Sequence, residues 1–305
     1  MTFSDAEAPS PKRIAQAIGI ILSGIFLLDL MGVFIRMLSD TYPASELAVF
    51  RNMFGLVPGI IVLLLSADWH ARGRKIGMRQ WKLGFARGLF VTFAQFCYYI
   101  ALTKLEFATA STLAFAGPMI VVALAVPILG EHVGPWRWAA VLIGFGGILL
   151  VMRPGSDVFT WAALLPLGAA AGYATSAVLV RLVDRDVPSA LVNCYSSFSA
   201  MFGAALLMLI LEEPVAIQSW TDMALIAAMG CSGGSGVLCL IISYRLVQPS
   251  LLAPFEYTGI AFAFILGWVF FNEAPFARLF PGVLLIVGAG LLIIWRERRA
   301  AGSAQ

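Results

Sequence analysis

Two copies of one apolar unit open with Tyr99-Ile-Ala-Leu-Thr-Lys-Leu-Glu-Phe-Ala-Thr-Ala110 and Ile242-Ser-Tyr-Arg-Leu-Val-Gln-Pro-Ser-Leu-Leu-Ala253. The first copy ends in Ile-Leu-Gly-Glu131 and the second in Phe-Phe-Asn-Glu273. The similarity of two distant apolar segments predicts that the chain is built from two related halves.

The repetition extends to both sides of these segments. Each copy leads into a Gly-rich apolar stretch that ends in a basic residue, and an Arg and a Pro recur upstream; the matched pairs are Arg153 with Arg296, Arg36 with Arg181, and Pro43 with Pro188. If each copy holds an odd number of membrane spans, the two must insert in opposite senses. Opposed repeats are the architecture of many secondary transporters, which hold the substrate at the interface between the repeats.

The composition excludes an ordinary soluble domain. Of the 305 residues, 60% are hydrophobic and 12% are charged, whereas soluble domains carry about 25% charged residues. A bilayer core of about 30 Å requires about 20 apolar residues per helix. We therefore predict an all-α integral membrane protein with ten spans: Ile14–Met37, Ser45–Ser66, Trp81–Thr103, Phe107–Leu129, Pro135–Met152, Phe159–Arg181, Pro188–Leu211, Thr221–Arg245, Ser250–Phe271 and Phe276–Trp295.

Two details refine this prediction. Pro118 and Pro127 interrupt the fourth span, where neighbouring helices can satisfy the freed backbone groups. Membrane strands are a poor alternative, because Leu142–Val151 is apolar at almost every position and strands alternate in polarity. The predicted organisation is a tail (1–13), two inverted five-helix repeats (14–153 and 154–297) and a second tail (298–305).

The distribution of Lys and Arg predicts the orientation in the membrane. With both termini in the cytoplasm, four basic residues lie outside: Arg36, Lys104, Arg153 and Arg278. Fourteen lie inside: Lys12, Arg13, Arg72, Arg74, Lys75, Arg79, Lys82, Arg137, Arg181, Arg185, Arg245, Arg296, Arg298 and Arg299. The first apolar run is too long for a cleaved signal peptide. We expect a multi-pass protein of a bacterial inner membrane.

Several other classes of function lack their sequence signatures. The four cysteines lie in predicted spans without a CxxC pair, and there are only two histidines, so neither a disulfide framework nor a metal site is expected. A net charge of +3 without a concentrated basic face argues against nucleic-acid binding. There is no phosphate-binding loop, HExxH or GxSxG motif in a suitable context. We expect neither an enzyme nor a cofactor, and a partner limited to the bilayer, a small-molecule substrate and at most a second copy of the chain.

Charged residues inside spans are costly and are candidates for a functional site. At about 1.5 Å per residue, Asp29 and Arg51 reach similar depth in the outer half, and Arg87 and Glu256 reach similar depth in the inner half. Asp29, Arg51 and Glu256 also have uncharged counterparts in the other repeat. The alternative is a structural ion pair, or an arginine that extends to the interface. The predicted substrate-binding residues are Asp29, Arg51, Arg87, Gln95, Tyr99, Tyr173, Asn193, Glu256 and Tyr257.

The run Gly230-Cys-Ser-Gly-Gly-Ser-Gly236 allows two interpretations. Its four glycines either permit close helix packing or produce an unwound stretch that lines a cavity.

The chain resembles the drug/metabolite transporter superfamily, and within it the EamA family, from about Ile14 to Glu297. The resembling segments are Glu46-Leu-Ala-Val-Phe-Arg-Asn52, Phe115-Ala-Gly-Pro118 with Leu129-Gly-Glu131, Gly144-Phe-Gly-Gly-Ile-Leu-Leu150, Ala253-Pro-Phe-Glu-Tyr257 and Phe271-Asn-Glu273. Asn272 departs from the family pattern, in which a glycine often precedes the glutamate. The resemblance implies two inverted repeats, cytoplasmic termini and a central cavity that opens to each side in turn.

The resemblance also bears on the substrate. The Ala-Pro-Phe-Glu-Tyr257 segment looks like the branch that contains riboflavin and S-adenosylmethionine carriers. Riboflavin is the first expectation, because the four intramembrane charges look balanced as two pairs and leave no carboxylate for a cation. S-adenosylmethionine, whose sulfonium would need Glu256 or Asp29, is the second. A lipid-modifying membrane enzyme and a non-transporting scaffold or sensor are the alternatives from other classes. Direction, proton coupling and the choice between monomer and homodimer stay open.

Overall fold

The computed structural model describes residues 10–71, 73–114, 116–131, 134–152, 160–184, 186–211, 213–247, 249–256 and 258–272, with isolated positions between 280 and 288. Within these ranges every regular element is a helix. The helices are α1 (Pro11–Leu38), α2 (Ala44–Leu65), α3 (Ala67–Ala71), α4 (Trp81–Lys104), α5 (Phe107–Ala114), α6 (Gly117–Leu129), α7 (Pro135–Met152), α8 (Leu164–Leu179), α9 (Ser189–Leu211), α10 (Trp220–Leu246), α11 (Pro249–Glu256) and α12 (Thr258–Phe271). The all-α prediction is confirmed.

Seven helical stretches of the described chain are long and apolar enough to cross a membrane. They match the predicted spans one to four and six to eight within a few residues. The fifth predicted span is α7, which has 18 residues. The ninth corresponds to α11 and α12, on either side of position 257, which lies outside the described residues. Most of the tenth, Phe276–Trp295, lies outside the described residues.

The fourth predicted span corresponds to α5 and α6, on either side of position 115, which lies outside the described residues, and Thr109–Leu129 is long and apolar enough to cross a membrane. Ala116 lies in a turn between α5 and α6, and Pro118 occupies the first turn of α6. Proline is tolerated there because the first backbone N–H groups of a helix have no intrahelical acceptor. α6 ends at Gly130, whose φ of 66° is left-handed and favours glycine.

Local sequence signals fix where two of the longest helices begin. The Ser10 hydroxyl accepts a hydrogen bond from the Arg13 N–H at the start of α1, and Pro11 is the first helical residue. The Ser219 hydroxyl accepts from the Asp222 N–H at 3.1 Å at the start of α10. These caps satisfy backbone donors that a helix leaves free at its first turn.

The helices of the two halves pack with an approximate two-fold symmetry. α1 packs on α10 as α4 packs on α8, α2 packs on α10 as α4 packs on α9, and α1 packs on α12 as α6 packs on α8. The equivalent helices α2 and α9 pack on each other, and α6 packs on α11 as α12 packs on α5. Each contact between the repeats therefore has a counterpart.

The symmetry extends to individual hydrogen bonds. Arg36 Nη1 donates to the carbonyl oxygens of Leu102 and, at 2.6 Å, of Leu105. Arg181 Nη1 donates to the carbonyl oxygen of Tyr244 at 3.0 Å. The duplicated arginines hold the ends of equivalent helices together, which indicates a structural role for both.

The glycine-rich run lies within a continuous helix, so the proposed unwound stretch is not found. α10 runs without interruption from Trp220 to Leu246. A Cβ atom added to Gly234 would lie 2.2 Å from the carbonyl oxygen of Gly55, and one added to Gly230 would lie 2.2 Å from Cβ of Phe54. The glycines allow the backbones of α2 and α10 to approach closely, as small residues do between membrane helices.

The outer surface of the bundle is apolar. Leu65, Leu209 and Ile210 expose 79%, 77% and 70% of their surface. Exposed apolar area on this scale is unfavourable in water and is expected where helices face lipid tails.

Candidate functional site

A buried arginine on α2 is the centre of a polar cluster inside the bundle. Arg51 Nη1 donates to Oδ1 of Asn52 at 2.9 Å and Nη2 donates to the carbonyl oxygen of Gly233 on α10 at 3.0 Å. Nε lies 3.4 Å from the Met31 sulfur on α1. A guanidinium is always charged, so this side chain places a permanent positive charge among neutral acceptors.

Asn52 and Gln95 extend the cluster from α2 to α4. Asn52 Nδ2 donates to Oε1 of Gln95 at 2.7 Å and Gln95 Nε2 donates to Oδ1 of Asn52 at 3.3 Å. Both side chains are almost completely buried. This reciprocal amide pair fixes the orientation of Asn52 and thereby the acceptor that Arg51 uses.

Asp29 lies on α1 without the expected pairing to Arg51. Its Oδ2 atom is buried and has no hydrogen-bond partner among the described residues. The reason is angular: Met31, which contacts Arg51, is two residues further along α1, and two residues turn about 200° around a helix. Asp29 therefore faces a different neighbour, and its carboxylate interacts electrostatically with Tyr98.

Three tyrosines lie within electrostatic range of these charges. Tyr98 shares a 2.9 Å hydrogen bond with the Ser111 hydroxyl, whereas the buried Tyr99 hydroxyl has no partner in the described part of the chain. Tyr173 on α8 interacts electrostatically with Tyr98, Tyr99 and Arg51. We call the set that joins both charges with these side chains the Arg51 cluster: Asp29, Arg51, Asn52, Gln95, Tyr98, Tyr99, Ser111 and Tyr173.

Arg87 forms a second polar contact, and the expected pairing with Glu256 is wrong. Its Nε donates to the carbonyl oxygen of Ser176 at 2.8 Å and its Nη1 donates to the Ser196 hydroxyl at 2.6 Å. Oε1 of Glu256 accepts instead from the Tyr244 hydroxyl. Arg87 and Glu256 were paired because they lie at the same depth in the membrane, but their helices are rotated so that each side chain contacts a different neighbour.

The remaining predicted residues divide into one that is described and one that is not. Asn193 on α9 is completely buried, and both polar atoms of its amide are without a partner among the described residues. It packs against Gly59 of α2. Tyr257 lies outside the described residues.

The predicted site residues do not include several members of these contacts: Asn52, Tyr98, Ser111, Ser176, Ser196 and Tyr244. Asn52 directly follows Arg51, and a polar residue beside a buried charge is a usable signal. Ser176 contributes only its main-chain oxygen, which no side-chain pattern reveals. Tyr244 has an apolar counterpart in the other repeat, Leu102, and this difference between the repeats is a signal that identifies Tyr244 in the sequence.

No group of three or more His, Cys, Asp or Glu side chains with metal-binding geometry occurs in the described residues. All four cysteines are free thiols.

Comparison with known proteins identifies the family. The family model described as the EamA-like transporter family matches residues 15–153 and 160–295, one match for each repeat. One solved protein crystal structure has a TM-score of 0.72 to this chain at 21% sequence identity, and the match covers 94% of this chain and 99% of that one. At that identity the likeness shows a shared fold.

Curated relatives of the chain are transporters. An S-adenosylmethionine uptake transporter of Rickettsia prowazekii is 27% identical and is matched over 92% of this chain and 96% of its own length. A riboflavin transporter of Rhizobium johnstonii is 29% identical over 62% of each chain. A pseudopaline exporter of Pseudomonas aeruginosa is 26% identical over 87% of this chain and 90% of its own.

These comparisons confirm the predicted family and the assignment as a transporter rather than an enzyme. They also agree with the apolar surface, the membrane-length helices and the paired contacts of the two halves. The chain belongs to the EamA-like transporter family and is a multi-pass membrane carrier of small metabolites, built from two repeats of five helices.

Proposed function

We propose that this transporter works in the inner membrane of a bacterium with both termini in the cytoplasm. The support is the excess of basic residues, fourteen against four, on the side that holds the termini. In this orientation the 213–219 segment is external and the 73–80 segment is internal.

Labelling single cysteines tests the orientation. In a cysteine-free variant, Glu213→Cys should react with a membrane-impermeant maleimide on intact cells, and Lys75→Cys should react only after permeabilisation. Both positions are exposed. The reverse pattern would refute the orientation.

We infer that the substrate is a zwitterionic or cationic metabolite, with S-adenosylmethionine as the leading candidate. The observation that supports this is the lack of an Asp29–Arg51 pair: the acid and the base lie in one cluster, and neither neutralises the other. The expectation of riboflavin was based on two balanced charge pairs, Asp29 with Arg51 and Arg87 with Glu256. Neither pair forms in the structure. The relatives matched over nine-tenths of this chain include uptake transporters for S-adenosylmethionine.

The two charged residues and the tyrosines of the Arg51 cluster have different roles in this proposal. The Arg51 guanidinium exchanges a neutral acceptor for the substrate carboxylate, a stronger partner. Asp29 faces an ammonium or sulfonium group. The faces of Tyr98, Tyr99 and Tyr173 attract the same cation through their rings. The substrate bound at this interface between the repeats is then released to either side of the membrane as the repeats rearrange.

Uptake into vesicles tests the substrate. Purified protein in lipid vesicles should accumulate radiolabelled S-adenosylmethionine, and Asp29→Asn should weaken uptake about 10- to 100-fold, because a hydrogen bond to a charged group is worth about 1.5–3 kcal/mol. Arg51→Met should weaken uptake similarly. The matched controls are Asp40→Asn and Arg79→Met, whose side chains are exposed outside the cluster.

Two results would contradict the inference. Wild-type vesicles that bind and transport no S-adenosylmethionine would remove that substrate. Undiminished uptake by Asp29→Asn would remove the role of the carboxylate.

Riboflavin is the second candidate, and the observation that favours it is the set of three tyrosines, whose flat faces suit a planar ring system. Two relatives of this chain that are named riboflavin transporter match 62% and 56% of it. Labelled riboflavin in the same vesicles separates the two: uptake that is insensitive to Asp29→Asn would favour it.

A further inference from the structure

The contact between Tyr244 and Glu256 joins α10 to α11 and belongs to one repeat only. The Tyr244 hydroxyl donates to Oε1 of Glu256, and Tyr244 is almost completely buried. Leu102 is the counterpart of Tyr244, because Arg36 binds its carbonyl oxygen as Arg181 binds that of Tyr244. The same repeat offset pairs Glu256 with Ala114. The equivalent place in the other half is therefore apolar, and the pair is not common scaffold.

No cation faces Glu256 among the described residues, and Tyr244 is the titratable group that interacts with it. The elements that pack against α11 are α1, α6 and α10. α6 has no titratable residue, and Lys12 and Arg13 lie exposed in the first turn of α1. The arginine next to Tyr244 on α10, Arg245, donates away from Glu256, to Val187, Ser189 and Asp184.

A carboxylate inside a membrane protein needs a neutralising partner, because its ionised form is costly there. A proton can neutralise this carboxylate without displacing a side chain. Tyr244 donates its O–H to Glu256 whether the Glu256 carboxyl group is ionised or protonated. A hydrogen bond to an ionised carboxylate is about twice as strong as one between neutral groups, so a bound proton weakens the contact between α10 and α11.

We propose that Glu256 is a proton-binding site, separate from the Arg51 cluster, and that its contact with Tyr244 is a proton-operated latch between α10 and α11. α10 packs on α1 and α2, and α11 packs on α6 and α1, all in the other repeat. The latch therefore lies between two helices that both contact the other repeat, so loosening it changes how α10 and α11 are held relative to each other at that interface. The link to transport rests on the proposed function, whereas proton binding itself does not.

An infrared titration tests proton binding without any substrate. The full-length protein in lipid vesicles is titrated with acid, and the carbonyl band of a protonated carboxyl group is followed. One component of the band should be present in the wild type, lost in Glu256→Gln and shifted in its titration midpoint in Tyr244→Phe, while the component from Asp29, whose carboxylate is buried, remains. Glu213→Gln, the same change at an exposed carboxylate, should keep both components. Identical titrations of wild type and Glu256→Gln would overturn the proposal.

Transport then tests the latch. With the membrane potential clamped, one proton per substrate and a pH difference of one unit allow up to about tenfold accumulation, and Glu256→Gln should reduce this ratio to about one while solute exchange at equal pH continues. Full accumulation in Glu256→Gln would refute coupling. Loss of exchange and of substrate binding in this variant would make Glu256 a substrate residue instead. Absence of transport by the wild type, with the infrared band intact, would count against the proposed substrate alone.

Discussion

The close contact of Gly234 with Gly55, between α10 and α2, gives a prediction whose size follows from the structure. In Gly234→Ala the new Cβ would lie 2.2 Å from the carbonyl oxygen and 2.6 Å from Cα of Gly55. A carbon and a carbonyl oxygen in contact are about 3.3 Å apart, so α2 and α10 must separate by about 1 Å. The obstacle is main chain on both sides and has no rotamer to change. We expect the upper end of the usual cost of overpacking, about 3 kcal/mol.

The reciprocal variant is the matched control. In Gly55→Ala the nearest atom to the new Cβ would be the Gly230 carbonyl oxygen at 3.4 Å, which is an ordinary contact. Alanine favours a helix over glycine by about 1 kcal/mol. Gly55→Ala should therefore be neutral or stabilised by up to about 1 kcal/mol, and Gly234→Ala should be destabilised by about 2 kcal/mol after the same gain.

Thermal unfolding of the purified protein in detergent measures the difference. One kcal/mol shifts the midpoint of domains of 150–250 residues by about 2–4 °C, so the two variants, which differ by about 2–3 kcal/mol, should differ by roughly 4–12 °C. Equal midpoints, or a lower midpoint for Gly55→Ala, would show that the two backbones are not in the close contact described and would refute the argument.

Three further outcomes are expected. Ser196→Ala removes an acceptor of Arg87 and should lower the free energy of unfolding by about 1.5–3 kcal/mol, as measured by unfolding in mixed micelles. Asn52→Leu deprives both Arg51 and Gln95 of a partner and should cost about 1–3 kcal/mol in the same assay. Burial, with a contribution from Asp222, raises the pKa of Tyr42 above its usual 10, so the folded protein holds this proton more tightly and stability should fall as the pH rises above about 10. Tyr42→Phe should flatten the dependence of the melting midpoint on pH in this range, and an unchanged slope would contradict the assignment.

The sequence predicted most of the fold, and the reason is the solvent. A lipid interior requires each backbone group to bond within its own helix, so apolar length alone identifies the spans, and α1, α2, α4, α9 and α10 begin and end within a few residues of the predicted bounds. Internal repetition predicted the paired contacts of the two halves.

The repeat comparison also predicted which residues to examine. Asp29, Arg51 and Glu256 were selected because the other half has Ala174, Ser196 and Ala114 in their places. Each of the three has an ionisable side chain where its counterpart has none, and Asp29 and Arg51 are buried.

Only the tertiary structure decided which of these groups meet. Residue number along a straight helix gives depth, about 1.5 Å per residue, and Asp29 was matched to Arg51 and Arg87 to Glu256 on depth alone. The direction in which each side chain points depends on how every helix is rotated about its own axis, and packing sets that rotation. Contacts such as Gly234 on Gly55 therefore determined that Arg51 faces Asn52 and Gly233, and that Glu256 faces Tyr244.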